Sequence, residues 1–389
     1  MALKITRRQA GLTALGMPAL AQRAASGQQG AVYTGALDGL EGKVDRKDFD
    51  PVAWTLQRYQ EAPRRLKFQA TSAKQALVWQ KKLRAKLTEL LGGIPSGKGA
   101  PLDARIVETR EFPGYLREKF LFTSRPGLAV LGYLLTPRQG KAPHPAVICL
   151  PGHGRGVDDI VGIDDKGRDR TGKSGYQHDF AIQVAEKGMA AVAIEQMAFG
   201  CRRDARTSKG GLGRSACQPT AGAALLLGET MIGWRVHDVM RTIDYLETRS
   251  DIDSSRIGVT GISGGGTITV FSAALEPRIH AAFASGYLNT FRDSIFSLSH
   301  CIDNYVPGIL EWAEMYDVAG LIAPRPFFAE SGAKDDIFPI HAFRESFDKV
   351  RRVYEVMGAA SRLDHEIFEG EHAWHGVRGI PFLAKHLGA

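Results

Sequence analysis

The chain has 389 residues, 44% apolar and 24% charged, with four cysteines and a formal net charge of +8. That composition suffices for one large core and leaves too few cysteines for a disulfide-built scaffold. Its basic residues are spread along the chain with no stripe of interleaved aromatics, which speaks against nucleic acid as a partner, and no run reaches the roughly 18 apolar residues of a membrane-spanning helix.

At the N-terminus, Lys4, Arg7 and Arg8 precede a short apolar run and the small-residue site Ala19, Leu20, Ala21. This is the layout of a twin-arginine export signal, so residues 1 to 21 are expected to be a signal peptide and the protein periplasmic or secreted. Residues 22 to 95 read as a polar, glycine-containing linker and a helical extension. There Ser72 and Gln75 have capping-box spacing, Trp79, Leu83, Leu87, Leu90 and Leu91 recur at helical intervals, and Gly92 and Gly93 stop the helix. Residues 96 to 389 are expected to form the main domain. Its first strands, at 105 to 109, 118 to 123 and 128 to 135, suit an antiparallel edge. After Val147 strand and helix patterns alternate, as a mostly parallel sheet flanked by helices requires. Along residues 230 to 248, Ile232, Val236, Val239, Ile243 and Leu246 share one helix face, a core stripe.

Two long insertions, 156 to 179 and 197 to 220, follow strand ends and are expected to form a rim. The second carries Arg202, Arg203, Arg206, Lys209 and Arg214, a solvated cluster or a site for an anionic substrate. Cys201 and Cys217 bracket it at a spacing that allows a disulfide, whereas Cys149 reads as an inert core residue. Gly167, Gly172, Lys173 and Ser174 match a phosphate-loop pattern, but no buried strand precedes them and no apolar helix follows, so nucleotide binding is rejected. The aspartates at 158, 159, 164, 165 and 169 lack calcium-loop spacing.

The chemistry concentrates later. A β-branched run from Ile257 to Thr260 leads into Gly261, Ile262, Ser263, Gly264 and Gly265, and an apolar helix follows. Glycines two positions either side of a serine permit the sharp strand-to-helix turn that exposes a nucleophilic hydroxyl. An acid and a base follow in chain order. The short strand 326 to 330 runs into a loop bearing Asp335, the expected acid, with Asp336 and Glu330 as rivals. His372, after a glycine turn, is the expected general base, with His375 as alternative. A metal site from His365, His372 and His375 is not supported, because no cysteine or carboxylate set of ligand spacing accompanies them, and no cofactor is expected. Gly264 should donate one oxyanion N–H. The loop after the strand 145 to 150, which reads Pro151, Gly152, His153, Gly154, Arg155, should supply the other through Gly154 or Arg155. His153 is expected to shape that turn at the substrate's edge. Trp374, with Trp312 and Tyr305, suggests a wall for a sugar or aryl group.

On these residues the chain resembles the α/β-hydrolase superfamily, within it the branch similar to dienelactone hydrolases and acetyl xylan esterases. The resemblance covers roughly residues 100 to 389. It rests on His153 and Gly154 after a strand, Gly261 to Gly265, Gly332 with Asp335 and Pro339, and Gly370 with His372. Flanking phrases around Met231 to Leu246 and Ile322 to Pro326 look similar too. Dienelactone hydrolases carry a cysteine nucleophile and this chain has Ser263, so the resemblance implies hydrolysis of small or carbohydrate-borne carboxylic esters through an acyl-enzyme. A serine peptidase or amidase with the same triad is the alternative, and a carbohydrate-binding relic without activity a third reading.

Overall fold

The computed structural model describes residues 35–95, 99–170, 172–211, 216–297 and 300–389; the expected signal at 1 to 21 lies outside them. The chain divides near Pro51. Before that point lie two short 3-10 turns, Gly35–Leu37 and Arg46–Phe49, the second capped by the Asp45 side chain, which accepts from the Lys47 N–H.

From Val52 onward, helix α1 (Pro51–Glu61) leads to α2 (Ala73–Leu90). Ser72 caps α2 by accepting from the Gln75 N–H at 3.4 Å, and the Gln75 side chain accepts from the Thr71 N–H at 2.9 Å. The periodic residues Trp79, Leu83 and Leu87 are buried in the same core as the sheet strands, and the Trp79 indole donates to the Leu66 carbonyl at 2.7 Å. The helical extension is therefore packed into the body that holds the sheet.

Among the described residues one nine-stranded sheet runs in the order β1 (Arg105–Glu111), β2 (Tyr115–Arg125), β3 (Leu128–Pro137), β5 (Ala190–Ile194), β4 (His144–Leu150), β6 (Ile252–Ile262), β7 (Ile279–Ser285), β8 (Phe327–Gly332) and β9 (Leu363–Phe368). The pairings from β1 to β5 are antiparallel, the expected edge, and those from β5 through β4 to β9 are parallel. Strands β4 and β6 are buried along their apolar runs, as a sheet covered on both faces demands. Helices α3 (Phe180–Ala185), α4 (Cys217–Leu226), α5 (Met231–Leu246), α6 (Gly264–Leu275), α7 (Met315–Gly320), α8 (Ile340–Val356) and α9 (Gly379–Leu387) complete the element order. On α5 the five stripe residues Ile232, Val236, Val239, Ile243 and Leu246 are all fully buried.

After β4 the chain passes to β5 on one side, and after β6 to β7 on the other. The strand order therefore reverses between β4 and β6, and the carboxyl ends of strands at such a reversal open a crevice. Register brings the two ends level, with Leu150 beside Gly261.

Candidate active site

Ser263 occupies the turn between β6 and α6 with φ 57° and ψ −122°, a sparsely populated conformation held only where the surroundings enforce it. The neighbouring glycines show why: a side-chain carbon on Gly261 would lie 2.6 Å from the Leu150 carbonyl oxygen, and one on Gly265 would run into the same atom. The Ser263 N–H donates to the Ser285 carbonyl at 3.0 Å, fastening the turn to the end of β7. Gly264 is the first residue of α6, so its N–H has no acceptor inside the helix and is available to an anion.

Asp335 stands in the loop after β8 and is 5% exposed. One oxygen accepts from the Ile337 and Phe338 N–H groups, both at 2.9 Å, and the other lies 2.7 Å from His372 Nδ1. A carboxylate at Nδ1 selects the tautomer with the proton there and leaves Nε2 as the basic nitrogen. The His372 ring stacks with Tyr176 and with Phe338 at centroid separations of 5.7 and 5.6 Å. Gly286 abuts it: φ is +52°, and a side-chain carbon there would lie 2.9 Å from His372 Cε1. Serine backbone and histidine ring thus both press on the end of β7, at Ser285 and Gly286. His372 Nε2 is buried and has no hydrogen-bond partner among the described residues.

Tyr176 belongs to this site, and nothing in the sequence marks it beyond membership of a rim insertion. Its phenol donates to the His153 carbonyl at 2.7 Å and lies beside the Ser263 side chain, both bordering Gly152, and burial pushes its pKa up. The rivals for acid and base are engaged elsewhere. Asp336 is exposed. Glu330 is fully buried and accepts from the Ser285 hydroxyl at 2.7 Å and from the His375 and Gly376 N–H groups at 2.9 Å, while burial pushes it up to about 7. His375 Nδ1 lies 3.3 Å from Glu366, and its ring stacks on Phe368.

Two expected roles do not fit. The Arg155 N–H already donates to Asp159 at 2.8 Å, so of the two loop donors named Gly154 is the one that remains a candidate. Trp374 is 1% exposed and stacks on Phe180 at 4.2 Å and against Phe283 at 4.8 Å, so its faces are core and cannot line a sugar wall. Trp312 packs under the cations of Arg65 and Lys86. Tyr305 is 40% exposed and, with Tyr59, Phe291 and Ile295, borders an apolar hollow of about 490 Å³ that touches neither Ser263 nor His372.

In the basic insertion Arg202 is spent on Asp238 at 2.6 Å, and Arg203 donates to the Gly200 and Gly211 carbonyls; Arg214 lies outside the described residues. No disulfide joins Cys201, which is exposed, to Cys217, which is buried. The Cys217 thiol instead lies 3.3 Å from Asp303 and 3.6 Å from His153 Nε2. Burial opposes charge on the His153 ring, but Asp303 outweighs it and lifts the imidazole up to about 10. The phosphate-loop lookalike is an arginine-bound turn: Asp164 holds Arg168, and Asp169 holds Arg110 and Arg117.

A family model described as the abhydrolase family matches residues 57–372. The chain belongs to the α/β-hydrolase family. A protein described as a hydrolase, YtaP of Bacillus subtilis (strain 168), is 26% identical to this α/β-hydrolase over 286 residues, 71% of this chain and 88% of its own. Among solved structures, one described as an acetyl xylan esterase from Bacteroides fragilis matches with TM-score 0.68 and 22% identity over 82% of each chain. A glucuronoyl esterase from Solibacter usitatus matches with TM-score 0.59 and 14% identity, over 80% of this chain and 93% of its own. At these identities the structural likeness is one of fold.

Proposed function

We propose that this α/β-hydrolase is a serine esterase acting on carboxylic esters, small or borne on a carbohydrate, with Ser263 as nucleophile, His372 as general base and Asp335 as its partner. The observation that carries the reading is the 2.7 Å pair of His372 Nδ1 and Asp335, set against the same end of β7 to which the strained Ser263 turn is bonded. Rotation of the Ser263 side chain away from Tyr176 presents Oγ to His372 Nε2. Nε2 takes the proton as Oγ attacks the ester carbonyl carbon. The oxyanion is met by the Gly264 N–H and by the loop after β4. The carbon–oxygen bond to the alcohol then breaks, the alcohol leaves with the proton from His372, and an acyl-Ser263 remains. Water deprotonated by Nε2 attacks that acyl carbon and returns Ser263.

The carbohydrate preference draws on the descriptions of the structural neighbours. Export through the twin-arginine route belongs to the same proposal and rests on Arg7 and Arg8. The test is turnover of aryl acetates, acetylated xylo-oligosaccharides, methyl glucuronates and peptide anilides. Ester cleavage without anilide cleavage supports the esterase. Anilide cleavage at comparable rate replaces it with an amidase, and silence on every ester refutes it.

A further inference from the structure

Beside the oxyanion loop, four side chains from three separate stretches of chain converge: His153 after β4, Cys217 at the start of α4, and Cys301 with Asp303 in the segment before α7. Their donor atoms all lie within 4.8 Å of one another. Three edges of the cluster are His153 Nε2 to Asp303 Oδ2 at 3.4 Å, Cys217 Sγ to His153 Nε2 at 3.6 Å, and Cys217 Sγ to Asp303 Oδ2 at 3.3 Å. The two sulfurs lie within the same 4.8 Å limit of each other. An ion bound tetrahedrally at about 2.3 Å from sulfur and about 2.1 Å from nitrogen and oxygen sets nitrogen and oxygen donors roughly 3.4 Å apart, sulfur and nitrogen or oxygen roughly 3.6 Å apart, and the two sulfurs roughly 3.8 Å apart. The observed edges match those figures within a few tenths of an ångström.

The chemistry of the donors agrees with the geometry. Two thiols, an imidazole and a carboxylate are the set preferred by a borderline-soft dication, zinc above all, and four protein ligands close the coordination sphere. Arg235 touches two of the four donors: it donates to Asp303 Oδ2 at 2.6 Å, to Cys217 Sγ at 3.7 Å and to the Met197 carbonyl at 2.7 Å. Its charge is outnumbered once metal binding has displaced the thiol protons, since two thiolates, one carboxylate and one guanidinium then sum to minus two, which a dication neutralises. Its bond to the carboxylate is the outer support that metal-bound side chains need. Asn304 Nδ2 donates to the other Asp303 oxygen at 3.0 Å.

We propose that His153, Cys217, Cys301 and Asp303 bind one structural divalent metal ion, zinc by preference, which ties the oxyanion loop to α4 and to the segment before α7. The ion takes the place of the proton that His153 and Asp303 otherwise share. Its role is to hold His153, and with it Gly154, in register with Gly264; a side-chain carbon on Gly264 would lie only 3.2 Å from the His153 ring. The proposal does not depend on which ester the enzyme takes.

The test uses the untagged full chain, purified without added reductant so that a native disulfide survives, with a reduced sample kept for metal loading. Elemental analysis should find close to one zinc per chain. After removal by a chelator, cobalt(II) should restore one equivalent, with a thiolate-to-cobalt band in the near ultraviolet and tetrahedral visible bands. The Cys217→Ser, Cys301→Ser double variant should lose that band, whereas Cys149→Ser and Cys201→Ser should keep it. Should the double variant fail to fold, the wild-type cobalt spectrum decides alone. A wild-type protein that takes up neither zinc nor cobalt, a thiolate band that survives in the double variant, or a native disulfide between Cys217 and Cys301 overturns the proposal.

Discussion

His372 Nδ1 lies 2.7 Å from one oxygen of Asp335, while the other oxygen of that carboxylate is held by the N–H groups of Ile337 and Phe338. The carboxylate is thus fixed by its own loop before it meets the imidazole. Asp335→Asn keeps the loop contacts and loses control of the tautomer, and kcat on the best ester is expected to fall by about 10⁴-fold with little change in KM. Asp336→Asn, exposed next door, should leave kcat within a few-fold. Steady-state kinetics on both variants decide between the two aspartates; an equal loss would remove Asp335 from the role.

Gly286 is where β7 meets the His372 ring. Alanine there strains a backbone at φ +52° and sets its methyl 2.9 Å from Cε1, so the ring must shift from its place. Misplacement on the ångström scale costs on the order of 10²-fold in rate. The measurement is kcat beside a circular-dichroism spectrum: the rate should fall while the spectrum stays native, and an unchanged rate would show that the ring is not pinned there.

Glu330 gives stability a pH dependence whose sign can be worked out. Burial lifts its folded pKa to about 7, above the unfolded value of about 4.3. Between those values the folded state binds more protons, so the stability contributed is full below the unfolded pKa and lost as pH rises through about 7. Glu330→Gln removes that dependence. The unfolding free energy of the variant minus that of the wild type should therefore rise from pH 5 to about pH 7, at a slope on the order of 1 kcal/mol per pH unit, and level off above that. A constant difference would show that the three donors on Glu330 hold it ionised throughout.

Trp374 tests the correction to the sugar-wall reading. Stacked on Phe180 and Phe283 at 1% exposure, it is a core residue. Trp374→Ala should cost about 3–5 kcal/mol of stability, read as a fall in denaturation midpoint. Altered substrate preference at unchanged stability would restore the surface reading.

The sequence was most legible where local chemistry and chain order coincide. The α2 stripe, the buried α5 face and the glycine-flanked serine each lie within one element, so spacing alone locates them. Asp335 and His372 could be named from strand ends followed by turns, although their pairing depends on β8 and β9 lying side by side. Tyr176 was invisible, since a tyrosine in a polar insertion looks the same whether it faces solvent or Ser263. Trp374 misled because its neighbours in sequence are polar while its neighbours in space, Phe180 and Phe283, come from other elements. Arg155 failed as an oxyanion donor for a local reason, an Asp159 carboxylate four residues on that captures its N–H. The His153, Cys217, Cys301 and Asp303 cluster escaped a search for closely spaced ligands because its members span half of the catalytic body.

The most direct test of the serine mechanism is to quench turnover of a slowly deacylated ester and map the protein by mass spectrometry, beside Ser263→Ala. A triad at Ser263 requires the acyl mass on the peptide containing that residue, and a fall of roughly 10⁴-fold or more in kcat for the alanine variant. Undiminished hydrolysis by Ser263→Ala, or the acyl group on another residue, would contradict it.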